Sequence, residues 1–218
     1  MADIFQEVDE DLRRDQTVAF LSKHRNALVA VALAAFALTV GSRLWSDHVR
    51  AQAEAATAAY EDALGYVRDG KTDLAKNAFD RLAANAPAGY RGIAAMSAAG
   101  TQAMKDPAGA AAAFDKIAAD SSVDPPLAEA ARMRAAYAWL DAGKPEEAAS
   151  RFATLADGGV WRNFARESLG LIALDKKDYA GAAKSFEAVA VDVGSTPAQR
   201  QRAEALLALM RGAQPTKP

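Results

Sequence analysis

Residues 169–189 read LGLIALDKKDYAGAAKSFEAV, and the second half of this stretch decides the fold. Ala182, Phe186 and Val189 stand at i, i+4 and i+7, on one face of a helix, after a Lys177-Asp178-Tyr179 turn of helix-start character. The same pattern recurs as Ala75-Phe79-Leu82, Ala110-Phe114-Ile117 and Ala148-Phe152-Leu155, with the phenylalanines 35, 38 and 34 residues apart. A triplet at this period is what a stack of helical hairpins needs: alanine lets helices approach, phenylalanine fills the seam, and the aliphatic residue continues the face.

Each triplet follows a turn, at Asp69-Gly70-Lys71, Lys105-Asp106-Pro107, Gly143-Lys144-Pro145 and Lys177-Asp178-Tyr179. Pro107 and Pro145 suit the first turn of a helix, and Gly70 and Gly143 the end of the one before. Pro87, Pro125-Pro126 and Pro197 mark the boundaries after the second helices of three units. The array, from about Val49 to Val193 with a final helix from Pro197 to Met210, resembles the tetratricopeptide repeat. The resemblance implies an all-α solenoid of three to four hairpins in a right-handed curl with a C-terminal capping helix. It also implies a binding surface on the inner face of the first helices, where Tyr60, Leu64, Arg68, Met133, Tyr137, Glu167 and Leu171 fall by position. Phe79, Phe114, Phe152 and Phe186 need only a packing role, since burying each contributes about 1.5–3 kcal/mol.

Composition points the same way. Of 218 residues 56 are alanine, and no stretch alternates β-branched with polar residues over a strand's length. With 26 basic against 28 acidic side chains, the near-neutral chain lacks the cationic excess of a nucleic-acid-coating protein, which leaves protein partners. Cysteine is absent, so disulfides, thiolate metal sites, cysteine nucleophiles and a lipid-modified cysteine are excluded. The two histidines, His24 and His48, are too far apart in sequence to make a metal cluster, and a catalytic triad is disfavoured.

Gly65-Tyr66-Val67-Arg68-Asp69-Gly70-Lys71-Thr72 matches the phosphate-loop pattern GxxxxGKT. Such loops join a strand to a helix so that bare amides cradle a phosphate. Here the preceding Ala51–Leu64 has helix and no strand character, and Gly70-Lys71 occupies the repeat turn that Gly143-Lys144 occupies in the third unit. Carboxylates are scattered over helix faces near Lys and Arg, without an acid–base pair that stands out. The expectation is a non-enzyme with no cofactor, metal or small-molecule substrate; a nucleotide hydrolase using residues 65–72 is the remote alternative.

Ala27–Gly41, ALVAVALAAFALTVG, is fifteen residues without a charge. From Asn26 through Ser46 there are 21 residues, close to the ~20 that cross a bilayer when Arg43 lifts its head toward the surface. Its strongly apolar side chains favour insertion by about 2–4 kcal/mol, a marginal value that a neighbouring helix would improve. Ala30, Ala34, Ala37 and Gly41 form a small-residue stripe open to such a neighbour. A signal anchor is favoured over a cleavable signal, because 25 residues with six acids precede the span, and over a buried helix of a soluble protein. Arg13, Arg14, Lys23 and Arg25 before the span against Arg43 and Arg50 after it keep the N-terminus cytoplasmic, with Trp45 at the far interface and the rest exported.

The opening Asp3-Ile4-Phe5-Gln6-Glu7-Val8-Asp9-Glu10-Asp11-Leu12-Arg13-Arg14 sets Ile4, Phe5, Val8 and Leu12 on one helical face among acids, which points to a protein contact rather than to anionic lipid. With the span and the repeats behind it, this opening resembles the ancillary Sec translocon subunits with a periplasmic tetratricopeptide-like domain, in their alphaproteobacterial form. One departure is that Gln16–Asn26 lacks the Trp and Tyr expected before the span. The resemblance implies a non-enzymatic bacterial inner-membrane protein that meets the translocon and periplasmic chaperones and helps newly exported proteins. The alternative is a membrane-anchored scaffold for envelope or cell-division assembly. The expected organisation is a cytoplasmic amphipathic segment (1–25), a transmembrane helix (26–46), a periplasmic repeat domain (47–211) and a disordered tail (212–218).

Overall fold

The sequence places prolines and turns where helices must stop, and the helices stop there. The computed structural model describes residues 2–213, with side chains over 23–27 and 29–211; among them lie nine α-helices and no strand. α1 (Ala2–Arg68) is one helix, since no proline and only Gly41 among glycines occurs between residues 2 and 64. It continues through the boundary expected at 46/47. By packing, the chain divides into Met1–Glu54 and Ala55–Pro218.

In the second unit the last turns of α1 pair with α2 (Thr72–Asn85), α3 (Ala88–Ala103) with α4 (Pro107–Ala119), α5 (Pro125–Asp141) with α6 (Pro145–Ala156), and α7 (Arg162–Asp175) with α8 (Tyr179–Val191). α9 (Pro197–Ala213) closes on α8. From α2 onward each helix packs chiefly on its neighbours in sequence, as in a one-dimensional array.

Three of the four hairpin turns share one backbone device. The amides of Lys71, Lys144 and Asp178 reach back to the carbonyls of Tyr66, Trp139 and Ala173 at 2.9, 2.9 and 2.8 Å. The preceding residues, Gly70 and Gly143 at φ 71° and Lys177 at φ 61°, are left-handed. This is the Schellman termination, which satisfies orphan carbonyls and reverses the chain. The second turn lacks it, with no left-handed residue at Met104 or Lys105. There Asp106 caps α4 by accepting the Gly109 amide at 2.8 Å, as Asp178 caps α8 through Gly181 at 2.9 Å.

All twelve triplet residues are buried, each triplet in a cluster of its own. Sixteen residues before each phenylalanine stands a small residue, Ala63, Ala98, Ala136 or Gly170, also buried. At Gly170 even a β-carbon would come within 2.6 Å of the Phe186 ring. Between hairpins, Asp115 on α4 accepts Trp139 Nε1 at 3.1 Å and Arg151 Nη2 at 3.0 Å; within the fourth hairpin, Asp192 after α8 holds Arg162 and Arg166 of α7. Among the described residues no buried side-chain N or O atom lacks a partner.

Candidate functional site

The first helices of the hairpins carry the residues that the repeat pattern assigns to an inner face, and the structure sorts them. Tyr60 sets its ring edge-on to Phe79, centroids 5.1 Å apart, and its hydroxyl lies 2.8 Å from Ser97 Oγ on α3. Leu64 and Arg68 are exposed beyond it. Met133 corrects the expectation: it is buried with Ala136, Phe152 and Leu155 and presents nothing to a partner. On α5 it falls between Arg132 and Arg134, which point outward, so a helical position one step round the axis exchanged solvent for core.

Tyr137, Glu167 and Leu171 come together. They line a groove of about 390 Å³ between α5 and α7, completed by Leu140, Phe164 and Ile172, by Pro145 of α6 and by Arg202 of α9. Tyr137 is 43% exposed yet anchored, its ring edge-on to Phe152 at 5.2 Å. Its hydroxyl lies 3.2 Å from Ser168 Oγ, and the Ser168 hydroxyl is itself spent on the Phe164 carbonyl at 2.9 Å, so Tyr137 is the donor. Glu167 accepts both arms of Arg202, at 2.7 and 2.8 Å. Leu171 and Phe164 expose 46% and 40% of their surface. The groove therefore has an apolar floor on a rigid frame, with its central polar groups already paired, the arrangement of a surface that receives side chains.

Phe164 and Leu140 were not among the residues singled out from the sequence. Phe164, Ser168, Leu171 and Asp175 follow the i, i+4, i+7, i+11 rule on α7, so a helical stripe drawn through Leu171 finds them.

Residues 65–72 are not built as a phosphate loop. Gly65–Arg68 belong to α1, and the amides of Asp69, Gly70, Lys71 and Thr72 are committed to the carbonyls of Gly65, Val67, Tyr66 and Gly70. Lys71 Nζ is on Asp69 at 2.9 Å, which holds that carboxyl below its ordinary value. No amide in the turn is left to meet a phosphate. Among the described residues no group of three or more His, Asp or Glu is placed to hold a metal ion.

In the first unit, α1 from Lys23 includes an apolar window of mean hydropathy 1.9, none of it buried in the protein, long and apolar enough to cross a membrane. Val31, Leu33, Phe36 and Leu38 are each more than 60% exposed. Ala30, Ala34, Ala37 and Gly41 are exposed as well. The hydroxyls here are returned to the helix, Thr39 to the Ala35 carbonyl at 2.8 Å and Ser42 to the Thr39 carbonyl at 2.9 Å, a pairing that lowers the cost of a hydroxyl in an apolar medium. The side chains of Ile4, Phe5, Val8 and Leu12 lie outside the described residues.

A family model described as a tetratricopeptide repeat-like domain matches residues 19–208, which takes in the apolar segment, all four hairpins and most of α9. No curated protein and no solved structure matches the chain significantly.

Proposed function

The chain belongs to the tetratricopeptide repeat-like domain family, and from that premise we propose that it is a membrane-tethered protein-interaction module which receives segments of other proteins in the α5–α7 groove. The observation that carries this reading is the groove itself: exposed Tyr137, Phe164 and Leu171 over a floor held rigid by packing and hydrogen bonds. The tether is the apolar part of α1, whose exposed side chains would be costly in water and favourable in lipid.

The finer reading is that this is an accessory of the Sec translocon and of periplasmic chaperones in a bacterial inner membrane. Its N-terminus is cytoplasmic and its repeats face the periplasm, where they assist newly exported proteins. The opening residues 3–14 and the basic residues ahead of the span support it. Ile4, Phe5, Val8 and Leu12 form its cytoplasmic contact, and Ala30, Ala34, Ala37 and Gly41 the face set against another membrane helix.

Site-specific photocrosslinking in cells tests both levels. Probes at Tyr137 and Leu171 should capture polypeptides that a probe at Lys184, exposed on α8, does not. Probes at Ala34 and Ala37 should capture translocon subunits. Equal capture at Leu171 and Lys184 would sink the groove as the binding face. Capture of envelope-assembly proteins alone from the span would replace the translocon reading with that of a scaffold.

A further inference from the structure

The groove is not electrically neutral along its length. α5 ends on Asp141 and α7 on Asp175, register-equivalent residues two before the left-handed turn residues Gly143 and Lys177. Asp141 stands four residues after Tyr137, and Asp175, which lines the groove, four after Leu171, so each lies one turn beyond an exposed groove residue. Both are exposed, and among the described residues neither has an ion-pair partner.

A carboxylate is badly placed there for stability. The C-terminal end of a helix already carries negative partial charge, and cations are what it favours. Nearby cations are committed elsewhere: Lys176 to Glu146 at 2.9 Å, Arg202 to Glu167, and Lys144 over the Trp139 ring at 4.9 Å. Arg134 lies a turn before Tyr137, at the opposite end of the stripe. Among the described residues Lys177, in the turn beyond α7, is the uncommitted cation at this end, against two carboxylates and the carbonyl ends of two helices. At its Asp175 end the apolar groove thus meets more carboxylates and helix carbonyl ends than free cations.

We propose that the groove accepts a peptide segment of a partner protein in which an apolar side chain is accompanied by lysine or arginine. The apolar side chain lies against Tyr137, Phe164 and Leu171, and the cation is held by Asp141 and Asp175 at the helix ends. This rests on the reading of the chain as a protein-binding module and adds the chemistry of what it binds.

The test uses the full-length chain in nanodiscs of zwitterionic phosphatidylcholine, with empty discs as the blank. The probes are fluorescein-labelled twelve-residue peptides carrying two phenylalanines and two lysines, with matched peptides in which both lysines are glutamate. Fluorescence polarisation should give the lysine peptide an affinity about tenfold or more above the glutamate peptide. D141N/D175N should bring the two to within about twofold while melting no lower than the parent, because the acids oppose the helix dipole. Leu171→Asn, a neutral polar change at an exposed position, should weaken both peptides. Equal binding of the two peptides, a preference that survives in D141N/D175N, or no binding of either overturns the proposal. The crosslinking contrast between Leu171 and Lys184 is read independently, so loss of the charge preference leaves the groove's general role standing.

Discussion

Gly170 lacks a β-carbon because Phe186 fills its space, and this one contact shows how the hairpin interiors are tuned. At the three equivalent positions alanine is accommodated, whereas here the Phe186 ring would sit 2.6 Å from the added carbon. Gly170→Ala is expected to cost about 1–3 kcal/mol through overpacking, despite alanine's better helix propensity, as read by chemical denaturation. Unchanged or raised stability would show that α7 and α8 can part at no cost. Lys177 is the reverse case, a side chain in a left-handed position that glycine occupies in two sister turns. Lys177→Gly should stabilise by about 0.5–1 kcal/mol, the relief of left-handed strain outweighing the added freedom of the unfolded chain.

At the scale of elements, the junction between α8 and α9 concentrates the polar interactions of the C-terminal end. Thr196 and Gln199 form a capping box, the Thr196 amide donating to Gln199 Oε1 at 2.9 Å and the Gln199 amide to Thr196 Oγ1 at 3.2 Å. Just before it, Asp192 accepts Arg162 at 2.7 and 2.8 Å, Arg166 at 2.8 Å and the Gly194 amide at 2.7 Å. The Arg162 guanidinium and then the Gly194 amide hold its carboxyl far below the ordinary 3.8. Because the folded value is depressed, this contribution to stability is present above pH of about 4 and is lost as the pH falls below the unfolded value toward the folded one. Thermal melts between pH 7 and pH 3 should show a smaller acid loss in Asp192→Asn than in the parent. Parallel acid limbs for the two proteins would remove Asp192 from that role.

For the molecule as a whole, stacking of neighbours means that an end is an exposed core unless something covers it. α9 supplies Ala203, Leu207 and Met210 to the cluster of Ala182, Phe186 and Val189. A chain ended at Gly194 should lose about 1.5–3 kcal/mol for each of Leu207 and Met210 and uncover the Phe186 face, with a lower melting temperature and concentration-dependent association in light scattering. An unchanged melting temperature would mean that the fourth hairpin is self-sufficient.

The four hairpins, their turns and their phenylalanine seams were legible in the sequence, because a helix face obeys local periodicity and proline and glycine act on their own backbone. Pro87, Pro125 and Pro197 and the pairs Gly70-Lys71 and Gly143-Lys144 mark their boundaries whatever they pack against. The apolar stretch around Ala27–Gly41 declares its length and hydropathy for the same reason. The inner face was legible only in part. Tyr137, Glu167 and Leu171 do share a groove, but Met133 turned out to be core, and Pro145 of α6 and Arg202 of α9 joined from helices that no single-helix pattern connects to it. Which side of a helix becomes a groove wall depends on where the next helix lands, and that is set by packing between hairpins. The lone carboxylates at the ends of α5 and α7 became conspicuous only when folding had paired the charges around them.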